Sequence, residues 1–480
     1  MTVRRLVIRG ICTREGAGLY GECSVRRLPP SWNSYASPLP SKQGQVFARL
    51  AILIAASVSP SIGQPPCTPL PPPSGTVIEV QPSQANELQA LVAGAASGTT
   101  LLLHDGFYDM GGERYLLFQT PGVTLRSASG NRDAVVLDGA YTTAELVSIR
   151  ASNVVIADLT LKRAYHHPIH ISGSPGNPIS DMKIHNVRIL DPGEQAIKIN
   201  PVDDGFADNG TIECSWIQLT DAGRPNVSNC YTGGIDAHQA WGWLIRRNRI
   251  EGFWCPQGLS EHGIHFWSAS RDTIVEENVI TDCARGIGFG LGSTGASRAY
   301  PDNPYPGISY IGHYDGVIRN NFVAATDSRL FNSDYGFDTA IGLEQSRGTG
   351  VYHNTAVSTQ APSSSSIEWR WENSLAEITN NLVSHTLVSR NGGSASLATN
   401  IAGAPTTWFE DPSIGDLHLT AAGAGAIDSG TALPPGVTDG DIDLQSRDNL
   451  PDAGADEVTP TLFEDSFESG DTSAWSQIVQ

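Results

Sequence analysis

Side chains able to donate, accept or neutralise charge recur in this chain at one place in a repeated pattern. The segments are ProIleHisIleSer (168–172), AlaIleLysIleAsn (196–200), GlyIleAspAlaHis (234–238), GlyIleHisPheTrp (263–267), GlyIleGlyPheGly (286–290), AlaIleGlyLeuGlu (340–344) and SerIleGluTrpArg (366–370). Aligned on their shared Ile, one position reads His170, Lys198, Asp236, His265, Gly288, Gly342 and Glu368. The position two residues on reads Ser172, Asn200, His238, Trp267, Gly290, Glu344 and Arg370. Residues just before these segments add His166, His167, Glu194, Glu261, His262 and Arg285. Half of the 12 histidines fall here, as does Lys198, whose only companions after residue 63 are Lys162 and Lys183. A solvated face in so acidic a chain would more naturally carry Asp, Ser and Thr.

Imidazole, ammonium and carboxylate groups side by side suit proton transfer, which needs a base, an acid and a charge that tunes them. Lys198, His238 and His265 are the candidates for base and acid, with Lys198 or His238 as base and His265 donating. Asp236 would raise the lysine pKa, whereas burial and cationic histidines would lower it. Arg285 or a calcium ion is the candidate neutralising cation, with Glu194, Asp236 and Glu261 as the oxygen ligands. His170, Asn200, Trp241, His262, Trp267 and Glu344 are candidate binding residues; each Trp suits either a sugar ring or internal packing. A second metal set, Glu261, His262 and His265 with Asp236 and His238 one repeat earlier, has donors suited to zinc. Strand alternation argues against it, because it sends His262 and His265 to opposite sides unless a turn intervenes.

The elements that must position these groups follow from the same segments. Their second and fourth residues are apolar and the others mostly small or polar, which is the period of a strand with one buried face. The repeat length is about thirty residues, which marks stacked structural units. A second strand in each repeat carries Asn186, Asn248, Asn278, Asn321, Asn354 or Asn381, with Asp158 and Ser215 expected in the same slot. Stacked Asn side chains can hydrogen-bond from unit to unit. Short strands, a polar ladder and no helical periodicity predict an all-β solenoid, each residue about 4.8 Å from its counterpart in the next coil. The glycines Gly286, Gly288 and Gly290 should deepen a groove beside the cluster. Because the cluster faces outward, Lys198→Ala and His238→Ala should remove activity without unfolding the chain.

The repeats and the Asn column resemble the right-handed parallel β-helix of the pectin-lyase-like superfamily, over roughly residues 76–457. The stretch AsnGluLeuGlnAlaLeuValAlaGlyAlaAlaSerGlyThrThrLeuLeuLeuHisAspGlyPheTyr (86–108), with Leu88, Leu91, Val92 and Ala95 on one face of a short helix, is similar to the capping segment of secreted polysaccharide lyases of that fold. The fold hosts lyases, hydrolases, epimerases and inert adhesins, so the resemblance implies the architecture rather than the reaction. On it, the residues above read as a secreted lyase cleaving an acidic, uronate-containing glycan by β-elimination. That reaction needs the C5 carboxylate neutralised, a base for the neighbouring hydrogen and a proton for the leaving oxygen. Glycoside hydrolysis is the alternative and needs two carboxyl groups about 5–9.5 Å apart. Asp236 is the only acid in its column before Glu368, which favours elimination. A non-catalytic carbohydrate-binding or adhesion protein is the other alternative, in which the cluster would be dispensable.

Composition bounds the rest. With 30 Lys and Arg against 50 Asp and Glu, a formal charge of −20 lacks the basic footprint of a nucleic-acid binder. The one long apolar run, at 50–56, is too short to span a bilayer and sits in a segment, 42–63, that fits a secretory signal. Residues 1–63 are therefore expected to be a signal preceded by a start placed too far upstream, and the protein to be a secreted monomer. Residues 64–75 read as a Pro-rich linker, 76–403 as the β-helix with its N-terminal cap, 404–457 as a C-terminal cap and 458–480 as an acidic tail or sorting signal. AspGlyAspIleAsp (439–443) is a candidate calcium loop, though a solvated turn fits it better. Export permits disulfides, and Cys214–Cys230 and Cys255–Cys283 are the pairs expected, with Cys67 unmatched.

Overall fold

The computed structural model describes residues 67–458. The expected signal and upstream extension (1–63), the first residues of the linker and the tail beyond 458 lie outside the described residues. No helix among those described is long and apolar enough to cross a membrane.

Short strands of two to seven residues alternate with tight turns, and the coils contribute strands to three parallel sheets of 14, 10 and 11 strands. The chain is a right-handed parallel β-helix. In the ten-strand sheet, alternation turns Ile169, Ile197, Ile235, Ile264, Ile287, Ile341 and Ile367 inward, where all are fully buried. The residues that follow them stand opposite one another across the coils. His170 pairs with Lys198, Lys198 with Asp236, Asp236 with His265, His265 with Gly288, Gly288 with Gly342 and Gly342 with Glu368. Register is fixed because slipping by one residue would put this polar column into the core.

The polar ladder lies inside a turn. Asn248, Asn278, Asn321, Asn354 and Asn381 each donate through Nδ2 to the next Asn Oδ1, ending on Asn400, at 2.9–3.0 Å. The same Oδ1 atoms accept the preceding backbone N–H, and Ser215 N–H begins the series on Asn248. Two expected members belong elsewhere. Asp158 and Asn186 occupy the neighbouring left-handed position, with Cys214, Arg247, Glu277, Asn320, His353 and Asn380 in the later coils. Val187, not Asn186, fills the ladder slot in its coil, donating its N–H to Ser215 Oγ. Asn and Asp suit both slots, because their short polar side chains tolerate the left-handed region and also cap turns. Residue type alone therefore misaligned the first coils by one.

Helix Leu88–Gly94 buries Leu88 and Val92 beside strand Leu116–Phe118 at the N-terminal end. The segment after strand Ile401–Ala402 does not close the other end. Its Phe409, Leu417, Ala426, Ile442 and Ala455 form a second core against Val279, Phe322, Val357 and Leu382 on the outer face of the 11-strand sheet. It is a lateral buttress, and Leu397 in the last coil stays 53% exposed. Within it Asp441 is fully buried and accepts N–H groups from Asp443, Gln445 and Glu457. The expected calcium loop or solvated turn is thus a buried carboxylate that ties backbone together.

The disulfides are Cys67–Cys214 and Cys230–Cys255, and Cys283 is a buried free thiol. The expected pairs fail because Cys283 points into the main core beside the carbonyls of Ile250 and Thr281. Cys67 instead straps the Pro-rich segment to the coils, and Pro71 O accepts from Arg126 at 2.8 Å. Residues 67–75 are therefore not a free linker.

Candidate active site

Strands Gln195–Ile199, Gly233–His238 and His262–Trp267 bring the reactive column together on adjacent coils of the ten-strand sheet. The column faces away from the core yet is closed over: Lys198 is 7% exposed, Asp236 2% and His265 0%. Lys198 Nζ donates to Asp236 Oδ2, to Tyr231 Oη at 3.0 Å and to His238 Nε2 at 3.0 Å. Trp267 Nε1 donates to the other oxygen, Asp236 Oδ1, at 2.8 Å, and the indole edge packs on His238. Burial alone would raise the Asp236 pKa, but His238 and the Lys198 charge hold the carboxyl well below the usual carboxylate range. Burial likewise works against the Lys198 charge, yet Asp236 and Tyr231 raise the ammonium pKa above its ordinary value. The expectation of Lys198 as a free base gives way to a fixed cation.

Tyr231 was not among the sequence candidates. It lies in the turn ahead of strand Gly233–His238, next to Cys230, whose disulfide with Cys255 ties that turn to the one before strand His262–Trp267. The residue is 39% exposed, and its hydroxyl accepts from the ammonium. The only sequence signal was its adjacency to a cysteine flanking the reactive strand.

A second cluster lies one coil on. His262 and His265 share one side, with ring centroids 4.1 Å apart, despite the expectation that alternation would separate them. Gly288 makes this possible: a Cβ there would lie 2.5 Å from His262 Nε2. The glycine gap is thus filled by an imidazole rather than opening a groove. Glu261 Oε2 approaches His265 Nδ1 at 3.4 Å, His262 Nδ1 at 3.9 Å and Arg285 Nη2 at 3.4 Å. Burial opposes its charge, but the two histidines and Arg285 hold Glu261 well below the usual carboxylate range. Burial, with the Arg285 charge, holds His262 well below its ordinary value. Arg285 itself is committed to Ser260 O at 3.0 and 3.1 Å, which removes it from direct contact with a ligand on the outer face. His265 is sealed beneath Trp267, parallel at 5.3 Å, so it cannot reach a leaving group as the expected donor.

The remaining candidates are dispersed. His170 bonds Glu145 at 2.6 Å and Asn200 at 2.8 Å, one coil before Lys198. Trp241 is tied to Asp272 and packs on Tyr300, beside the 14-strand sheet rather than the column. Glu344 anchors Gly292 N–H and Arg370, holding the long excursion that follows Gly290. Glu194 pairs with His166 at 2.8 Å and His167 at 3.5 Å, away from the other two expected calcium ligands. Calcium prefers six to eight oxygens. Asp236 has both oxygens taken, and no cluster of metal-capable atoms among the described residues contains Glu194 or Asp236, so the calcium set does not fit. On the same sheet a cleft lined by Tyr115, Gln119, Glu145, Ser148 and Arg150 adjoins His170; of these the sequence reading singled out none.

No family model matches the sequence, and no curated protein matches it. Solved structures do. Pectate lyase Pel9A aligns with 80% of this chain and 97% of its own at 14% identity and a TM-score of 0.46. An alginate lyase from Paenibacillus sp. str. FPU-7 aligns over 68% and 99% at 17% identity and TM-score 0.46. A polygalacturonase from Erwinia carotovora ssp. carotovora aligns over 70% and 98% at 12% identity and TM-score 0.38. At such identities the likeness extends to the fold alone.

Proposed function

We propose that the protein is an exported polysaccharide lyase that cleaves an acidic, uronate-containing glycan by β-elimination, with Tyr231, Lys198 and His238 as its proton-handling groups. The observation that carries this is the Lys198 ammonium, fixed on buried Asp236 and hydrogen-bonded on one side to Tyr231 and on the other to His238. The ammonium supplies positive charge for the substrate carboxylate and for the carbanion that forms beside it. His238 Nε2 lies 3.0 Å from the Lys198 ammonium and 3.3 Å from Asp236 Oδ2; in the tautomer that accepts from Lys198, the imidazole carries its proton on Nδ1 and can release it to the leaving oxygen. Tyr231, in its deprotonated form, takes the hydrogen from C5. The proton gained at Tyr231 passes through Lys198 to His238 Nε2, and exchange of the partly exposed imidazole with solvent restores the proton to Nδ1, so that the residues end as they began. Two disulfides support an oxidising destination.

The hydrolytic alternative needs a carboxylic acid that is protonated at neutral pH. Asp236 and Glu261 are the nearest carboxyls and both are held in the ionised form. The test is ultraviolet absorbance of unsaturated uronate ends with alginate, pectate, chondroitin and hyaluronan, with calcium and with chelator. Absorbance should rise, and Tyr231→Phe should lower the rate by about 10²–10⁴-fold while costing far less thermal stability than Lys198→Ala. New reducing ends without absorbance would replace the lyase reading with hydrolysis. Neither signal on any glycan would favour the binding or adhesion reading.

A further inference from the structure

We propose that Glu261, His262 and His265 form a binding site for a divalent transition ion of the zinc type, on the coil beyond Lys198 and Asp236. This does not rest on the lyase reading. The site stands on atoms that lack partners. His262 Nδ1 and His265 Nδ1 are buried and make no hydrogen bond, in residues only 4% and 0% exposed. His265 Nε2 lies 3.2 Å from Gly290 O. A carbonyl only accepts, so the ring proton sits on Nε2, and a neutral His265 turns a lone pair on Nδ1 toward Glu261 Oε2 at 3.4 Å and Asp236 Oδ1 at 3.5 Å. Lone pairs facing two carboxylate oxygens in a buried space repel unless a proton on Nδ1 or a metal cation lies among them.

The separations fit an ion. Zinc bonds to imidazole nitrogen and carboxylate oxygen are about 2.0–2.2 Å long, which places tetrahedral ligands about 3.3–3.5 Å apart. Glu261 Oε2 and His265 Nδ1 are 3.4 Å apart, and one ligand atom from each of the three residues lies within 4.8 Å of the others. Two imidazoles and one carboxylate leave a fourth position open. Arg285, bonded to Ser260 O and 3.4 Å from Glu261, orients the carboxylate, as outer partners of metal ligands do. A second metal-capable group among the described residues, His418 with Asp443 and Asp456, provides the contrast. His418 places its two nitrogens 2.5 and 2.8 Å from Asp416 and Asp443, a closed ion pair with no lone pair to spare.

The test uses the full oxidised chain, stripped with a chelator and titrated with Zn²⁺ by calorimetry, with Co²⁺ as a spectroscopic substitute. One equivalent should bind, Co²⁺ should show the intense visible bands of a tetrahedral site, and Ca²⁺ should not compete. His262→Gln should weaken Zn²⁺ binding by at least about 100-fold, since even outer-shell losses cost 10–100-fold. Gly288→Ala provides a second variant that keeps every ligand and displaces the His262 ring. Stoichiometric binding that both folded variants retain would overturn the site. So would a folded wild-type chain that binds no Zn²⁺, or ¹⁵N spectra showing both His265 nitrogens protonated in the presence of Zn²⁺.

Discussion

The Lys198–Asp236 pair changes what a substitution at the site reports. The sequence placed both residues on an outward column, and outward was equated with solvated. In fact neighbouring coils, Trp267 and the turn carrying Tyr231 cover the column, so its charges behave as buried ones. Lys198→Ala should therefore cost stability as well as activity, about 3–5 kcal/mol, because Asp236 is left as an unpaired buried carboxylate. Asp236 has a lowered pKa in the folded chain, so its contribution is present above the unfolded value near 3.9 and is lost as the pH falls below it. The variant deficit should hold from pH 7 to about pH 4 and shrink as the pH is lowered further, read as the difference in urea midpoint from wild type. A deficit independent of pH would mean that Asp236 is not the group left stranded. The column members were legible because strand alternation projects a period onto a face. Tyr231 and the His262–His265 pair were not, because one sits in an irregular turn and the other depends on the volume vacated by Gly288 in the next coil.

At the scale of elements, the Asn ladder holds the coils in step. Asn321 Nδ2 donates to Asn354 Oδ1 and to the carbonyls of Val275 and Arg319, while its Oδ1 accepts from Asn278 N–H and Nδ2. Asn321→Ala orphans several of these buried groups, each worth about 1–3 kcal/mol. The denaturation midpoint should drop by the equivalent of at least about 2 kcal/mol with an unchanged slope. Asn186→Ala, outside the ladder, should cost less. Comparing the two checks the corrected alignment directly. The N-terminal strap makes a related prediction. Cys67–Cys214 closes 147 residues, and Cys67→Ser should destabilise the chain by about 2–5 kcal/mol, measured against wild type under oxidising conditions. Strand positions and the N-terminal helix could be read from periodicity; the disulfide pairing could not, since five cysteines after residue 63 allow many pairings and only the coil geometry turns Cys283 inward.

The molecule as a whole is a stack supported from the side. Its buttress is tied together internally by His418, whose pKa, despite burial, is pushed up to about 10 by Asp416 and Asp443. A raised histidine pKa contributes stability that is fully present below the unfolded value near 6.5 and is lost as the pH rises through about 10. His418→Asn should lower the melting temperature at pH 6, and the gap from wild type should close toward pH 10.5. A gap that stays constant would place the His418 contribution in packing rather than charge. The stack also separates two kinds of distance. Successive Asn rungs are 19 to 43 residues apart along the chain, yet every rung spans 2.9–3.0 Å. The longest interval, between Asn278 and Asn321, includes the excursion in which Arg298 grips Asp208 and Tyr300 reaches Ala269 O. A position in the reactive column is thus addressed by its coil number and not by residue count. Turns can lengthen, shorten or be exchanged, altering what an approaching chain of sugars meets, while the groups that handle protons keep their places.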